Sequence, residues 1–205
     1  MLRFQAGDEA AFEELVERHK QTVFSLTYRF MGGTQDAEDI AQEVFLRVYR
    51  AKDRYQPTAK FITWLYVICR NVCFKELKRR KSRHAAIPMA SDPDGAADLR
   101  HVPDGRGASP VAELLYNEQA TLVKRAVDAL PETQRMALLL RRYDRLSYED
   151  IAAVLGTTVK AVKSLLHRAR TTLKDELAEY LDRTKSPRDL PLRRGFNTVK
   201  GRRKP

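Results

Sequence analysis

Apolar residues recur along this chain at helical spacing, and no stretch alternates with the period of a strand. Asp8 follows Gly7 and opens a segment in which Phe12, Leu15, Val16, Val23, Leu26 and Phe30 share one face. Gly32 and Gly33 end it. Thr34 starts a second segment, with Ala37, Ile40, Ala41, Val44, Phe45 and Val48 at i, i+3, i+4, i+7 spacing. A polar loop, Asp53 to Thr58, precedes a third helix running from about Lys60 into Lys78-Arg-Arg-Lys81, with Phe61, Leu65, Ile68 and Val72 as its core face. The period then disappears. From Ser82 to Ser109 the chain is rich in Pro, Gly, Asp, Ala and Ser, the composition of a flexible linker between domains.

Helical signals resume at Ser109-Pro110, a cap followed by proline at the first helical position. That helix is expected to reach about Leu130, and Pro131 introduces the next, Glu132 to about Tyr143. Ser147 with Asp150 has the spacing of a capping box, Gly156 closes that helix, and Thr158 caps one that continues to about Leu181. The expected fold class is all-α. Two small helical domains, 1–81 and 110–182, are joined by a linker at 82–109 and followed by a basic tail at 183–205 that is expected to be disordered.

The segment from Leu146 to Arg170 reads as two short helices broken at Gly156, the second of them basic, which is the pattern of a helix-turn-helix. In the second helix Val159, Val162, Leu166, Ala169 and Leu173 share the packing face. Lys160, Ser164, His167, Arg168 and Thr171 point the other way, with Lys163 on the flank. Recognition helices read bases through their N-terminal residues. Lys160, Lys163, Ser164 and His167 are therefore better base readers than Arg170. The alternative is a solvated basic face.

Charge agrees with nucleic acid as a partner. The 205 residues carry a formal net charge of +11, which favours a polyanion. The longest apolar runs, such as Met136 to Leu140, are far too short to span a membrane, and the first residues lack the apolar core of a signal peptide. Cys69 and Cys73 lie one helical turn apart with no Cys or His motif to complete a metal site, so they read as two buried thiols in a reducing cytoplasm.

Two further surfaces stand out. Around the third helix Lys60, Trp64, Asn71, Lys75 and Lys78 fall in one stripe. An aromatic ring among cations suits single-stranded nucleic acid, whose bases stack while cations follow its phosphates. The same stripe also fits a half-buried tryptophan flanked by solubilising lysines. On the second helix Asp36, Asp39, Glu43 and Arg47, with Gln42 beside them, lie opposite the apolar face. They suit a basic protein surface or, equally, a solvated face with an internal Glu43–Arg47 pair.

Taken in order, these segments resemble a bacterial sigma factor of the extracytoplasmic-function (ECF) group of the sigma-70 family. Gly7 to Leu15 is similar to the family's first-helix signature. Asp36 to Leu46 is similar to its core-polymerase-binding segment, and Phe61 to Asn71 with Leu77 to Arg80 to its promoter-melting helix. Leu130 to Arg135 and Ser147 to Arg170 resemble its region 4. The resemblance implies core RNA polymerase as a partner, through its clamp helices and flap, and promoter DNA as both duplex and single strand. For many members it implies an anti-sigma factor as well. It implies no cofactor, no metal, no catalysis and a cytoplasmic location.

Carried over residue by residue, the resemblance assigns −35 recognition to Thr158, Lys160, Lys163, Ser164, His167 and Arg168. It assigns −10 recognition and melting to Arg54, Lys60, Phe61, Trp64, Arg70, Asn71, Lys75, Lys78 and Arg79. It assigns core binding to Asp36, Asp39, Gln42, Glu43 and Phe45. Lys75 stands where the family commonly has an acidic residue, Leu165 where it often has Arg, and Lys160-Ala161 where Gly-Thr is frequent. These departures leave the promoter sequence open. The rival reading is a stand-alone helix-turn-helix regulator. A catalytic role is disfavoured, because no carboxylate cluster, nucleophile–base pair or Gly-rich phosphate loop is present.

Overall fold

The computed structural model describes residues 1–33, 36–86 and 110–185, with side chains at 1–33, 36–83 and 120–178. Among these residues all regular structure is helical: α1 (Leu2–Gln5), α2 (Glu9–Phe30), α3 (Asp36–Arg50), a 3-10 turn (Lys52–Arg54), α4 (Phe61–Ala86), α5 (Pro110–Ala129), α6 (Glu132–Arg142), α7 (Tyr148–Leu155) and α8 (Val159–Lys185). Thr34, most of the expected linker (87–109) and the tail beyond 185 lie outside the described residues. Residues 82–86, which carry no hydrophobic period, continue α4 instead of opening the linker, and residues 183–185 continue α8.

The start signals read from the sequence are present in the geometry. Asp8 caps α2 by accepting from Ala11 N at 3.2 Å. The Arg3 guanidinium, 2.8 Å away, holds the Asp8 carboxyl below the usual carboxylate range. Asp150 N donates to Ser147 Oγ at 3.0 Å, and the Ser147 hydroxyl donates back to the Asp150 carboxylate at 2.9 Å. Ala161 N donates to Thr158 Oγ1 at 3.2 Å at the head of α8. Gly156 ends α7 at φ +65°, where a side chain would be strained, so the sharp turn into α8 needs glycine.

The short helix α1 has no counterpart in the sequence reading, because four residues are too few to display a period. It brings Phe4 into full burial against Phe12, 4.9 Å between ring centroids, and Tyr49 at 5.2 Å. α2, α3 and α4 pack on one another through Val23, Leu26, Phe30, Ile40, Val44, Val48, Leu65 and Val72. Buried Thr27 donates its hydroxyl to Ala37 O at 3.2 Å and fixes the start of α3 against α2.

In the second half, α6, α7 and α8 bury Met136, Leu139, Leu140, Ile151, Val154, Val162 and Leu166. The halves do not keep separate cores: α7 lies on α4, α6 lies on α2, and the buried residues form one continuous cluster. Arg135 is part of the reason. Its buried guanidinium donates to Phe30 O at 2.9 Å and to Asp128 O at 2.7 Å, joining the end of α2 to the turn before α6. It also lies 5.3 Å from the Phe30 ring.

α4 is covered from two sides, and Cys69 and Cys73 lie in its interior as free thiols. Burial pushes the Cys73 thiol up to about 12 and the Cys69 thiol well above its ordinary value. Neither is a thiolate at neutral pH. Iodoacetamide at pH 8 is therefore expected to leave both unlabelled in the native protein and to label both in denaturant. Rapid native labelling would show that α4 is not enclosed.

Candidate nucleic-acid interface

α8 separates its chemistry by face. Val162, Leu166 and Ala169 are buried against α6 and α7, whereas Lys160, Lys163, Ser164, His167 and Arg168 are exposed. Thr158, at the cap, is exposed as well. The αL turn at Gly156 ends α7 and lets the chain turn into α8. Lys163 Nζ lies 5.9 Å from the Tyr148 ring and Arg141 4.9 Å from the same ring. Two cations are thereby gathered at the N-terminal end of the face.

On α4 the expected stripe is real as a surface. Lys60, Asn71, Lys75 and Lys78 are exposed, and Trp64 is half-buried beside them. Trp64 is braced rather than enclosed. The buried Tyr55 ring meets it edge-on at 4.9 Å and 74°, and Phe61 lies 5.7 Å away. Gln5 Nε2 donates to Tyr55 O at 3.1 Å, so α1 helps to hold the loop that carries this brace. Arg54 is exposed on the turn before it.

Other members of the expected set are engaged within the chain. Arg70 donates to Val154 O at 2.6 Å and to Asn71 Oδ1 at 2.6 Å. Arg79 forks onto Glu76 at 2.7 and 3.0 Å, and this pairing holds the Glu76 carboxyl below its usual range. Lys60 Nζ lies 3.7 Å from Asp150.

The acidic face of α3 divides in a similar way. Asp39 and Gln42 are exposed. Glu43 pairs with Arg47 at 2.7 Å, which lowers its carboxyl below the usual value. Asp36 pairs with Arg80 of α4 at 2.5 Å. Phe45 turns toward the core and is half-buried. The apolar groups that stand outward are its neighbours Leu46, 50% exposed, and Tyr49, 43% exposed. No group of His, Cys, Asp or Glu that could hold a metal ion occurs among the described residues. No described helix is long and apolar enough to cross a membrane.

Residues 15–83 match the family model for sigma-70 region 2, and residues 120–173 match the model for sigma-70 region 4. The chain is 38% identical over 183 residues to the ECF RNA polymerase sigma factor SigE of Mycolicibacterium smegmatis, covering 87% of this chain and 67% of that protein. It is 35% identical over 185 residues to the ECF RNA polymerase sigma-E factor of Escherichia coli, covering 88% of this chain and 94% of that one. The chain belongs to the ECF group of the sigma-70 family.

Two solved structures resemble it as folds. One is CnrH in complex with the cytosolic domain of CnrY, with TM-score 0.58 and 26% identity over 85% of this chain and 92% of that one. The other is the sigma factor RpoE of Bartonella quintana in complex with the anti-sigma factor NepR. Its TM-score is 0.61, with 21% identity over 82% of this chain and 97% of that one. As a sigma factor, the chain directs transcription by RNA polymerase.

The structure of this sigma factor also shows groups that the sequence pattern did not single out. A groove of about 430 Å³ runs between the end of α6 and the middle of α8. Its floor is Leu138 and Leu166, and its rim is Arg141, Arg142, Arg145 and Arg170. Arg145 sits at φ +54°, an uncommon conformation for a residue with a side chain, in a turn that Arg141 holds by donating to Leu146 O at 2.7 Å. The sequence gives little warning of this groove, because its arginines come from three elements and share no helical period.

Proposed function

We propose that this sigma factor reads the −35 element as duplex with the exposed face of α8. On the same reading it captures the non-template strand of the −10 element along the Trp64 line of α4, and docks on core polymerase through the acidic face of α3. The observation that carries this reading is the half-exposed Trp64, held edge-on by Tyr55 and flanked by Lys60, Asn71, Lys75 and Lys78. A protein that reads only duplex has no use for an exposed ring set among cations, whereas unstacked bases bind such a ring.

Lys160, Lys163, Ser164 and His167 lie exposed toward the N-terminal end of a basic helix, where base edges are read, and Thr158 and Arg168 flank them. The arginine rim of the groove extends this positive surface and suits phosphates on either side of the read bases. Asp39, Gln42 and Leu46 offer charge and an apolar centre to a basic protein surface. The factor has no catalysis of its own and works where core polymerase is, in the cytoplasm. An anti-sigma partner, as in the RpoE–NepR complex, is a further expectation of the same reading.

The test is run-off transcription with the cognate core polymerase on genomic promoter fragments, with and without this protein. Protein-dependent transcripts with defined starts are expected. Their absence, together with tight footprinting by the protein alone, would establish the stand-alone regulator instead.

The groove has its own test. Arg142→Ala is expected to make the log-affinity against log-salt slope for −35 duplex shallower by about one, the signature of one lost phosphate contact, with sequence preference unchanged. An unchanged slope would remove the groove from the interface.

A further inference from the structure

The cations of α4 continue past the end of the expected strand-binding set. Asn71, Lys75, Arg79 and Arg83 follow one another at every fourth residue, and residues so spaced stand one above the other on a helix. The row carries the Trp64 line on toward the end of α4, and its last member, Arg83, is not among the residues that the resemblance assigns. From Lys75 to Arg83 it spans about two turns, or about 12 Å along the helix axis.

Cations four residues apart repel one another, and long side chains left to themselves sample many rotamers. In this helix one carboxylate answers both problems. Arg79 forks onto Glu76, its Nε and Nη2 donating to the two oxygens at 2.7 and 3.0 Å. Arg83 Nη2 donates to Glu76 Oε1 at 3.3 Å, and Arg80 Nε lies 3.5 Å from the same oxygen. Arg80 also pairs with Asp36 at the head of α3, so the cluster is tied to a second helix. The Glu76 side chain is 13% exposed, whereas those of Arg79 and Arg83 are 62% and 56% exposed. The acid is covered and its cations face solvent.

One negative charge against three positive ones leaves the cluster cationic. The fork leaves Arg79 Nη1 without a partner among the described residues, and Arg83 keeps Nε and Nη1 in the same state. These donors sit on side chains that are already ordered, so a phosphate binds them with less entropy lost than on two free arginines.

We propose that the captured strand runs on past Lys78 to Arg83, and that Glu76 is a positioning residue that holds Arg79 and Arg83 for its phosphates. The proposal rests on the strand-capture reading above and lengthens the path of the strand by one cation. It also gives a use to an acid in a basic run. A carboxylate that merely stood near a nucleic acid would repel it, so its removal would strengthen binding. A carboxylate that orders the cations does the opposite when removed.

The test uses holoenzyme assembled from the full chain and its cognate core. Run-off transcription first maps a promoter, and the labelled non-template strand of its −10 element becomes the probe. Arg83→Ala is expected to lower probe affinity about fivefold and to make the log-affinity against log-salt slope shallower by about 0.7, the loss of one single-strand phosphate contact. Glu76→Gln keeps the shape of the side chain and adds one unit of positive charge, yet is expected to lower probe affinity about threefold, the effect of releasing two ordered arginines. Arg83→Ala should then cost less in the Glu76→Gln background than in the parent, because the two residues act as a unit. Circular dichroism and binding to −35 duplex are expected to stay at parental values in all three variants.

Probe affinity that is unchanged or raised by Glu76→Gln overturns the positioning role, and so does a loss shared equally by −35 duplex binding. An unchanged slope in Arg83→Ala ends the strand path before Arg83 and overturns the proposal. Trp64→Ala in the same assay keeps the two readings apart. A loss of probe affinity there leaves strand capture standing even if Glu76 and Arg83 fail, whereas no loss overturns strand capture and the proposal with it.

Discussion

Trp64→Ala is expected to leave closed-complex formation within about twofold of the parent while lowering the yield of open complex roughly 5- to 150-fold. That range corresponds to the loss of one base–aromatic stack of about 1–3 kcal/mol. The asymmetry follows from the position of the ring. Among the described residues the ring partners of Trp64 are Tyr55 and Phe61, both in the first half and not on α8, which carries the residues proposed to read duplex. Duplex affinity therefore has no route to the mutation, whereas an unstacked base loses its platform. Permanganate footprinting of the −10 region measures the melted fraction, and mobility shift at low temperature measures the closed complex. Trp64→Phe should recover most of the opening, because a ring remains. Equal loss in both assays would mean that Trp64 only holds the loop at Tyr55 in place.

Leu46→Ala is expected to weaken binding to core polymerase about 30-fold, the effect of truncating an apolar anchor worth about 2 kcal/mol at the centre of an interface. Leu46 makes little contribution to the fold, since it is 50% exposed in the free chain. Asp39→Ala should have a smaller effect that shrinks as salt is raised, because an exposed carboxylate steers more than it anchors. Phe45→Ala is the informative contrast. Its ring packs on the core, so its cost should register as lost thermal stability rather than as lost affinity at a temperature where the variant is folded. Polymerase affinity unchanged by Leu46→Ala and Asp39→Ala alike would dismiss the outer face of α3 as the docking surface.

The sequence reading named Phe45, not Leu46, for this face, and the reason is instructive. The two are neighbours 100° apart around a helix, and the hydrophobic pattern alone does not say where the buried arc ends. Such arcs are legible when polar residues bound them sharply. On α8 the line Val162, Leu166, Ala169 is flanked by Lys163, Ser164, His167 and Arg168, and the expected and observed faces coincide.

Caps were legible for a different reason: Ser147, Gly156 and Thr158 act through their own backbone, and local chemistry decides them. The packing of one half on the other was not legible. Its contacts use Thr63, Arg70, Arg135 and Asp150, residue types that read as surface in any pattern built on hydrophobicity. Arg135 illustrates the difficulty most clearly, being buried only because carbonyl oxygens of Phe30 and Asp128 converge on it.

The unbroken interior from Val23 to Leu166 has a thermodynamic consequence. Two modules on a tether melt independently, each with its own midpoint and its own enthalpy. A chain whose modules share one interior loses them together, because neither can unfold without uncovering the other's buried face. Calorimetry on the free factor is therefore expected to show a single cooperative transition with an enthalpy suited to the sum of both halves. Two separate transitions would mean that each half keeps an interior of its own.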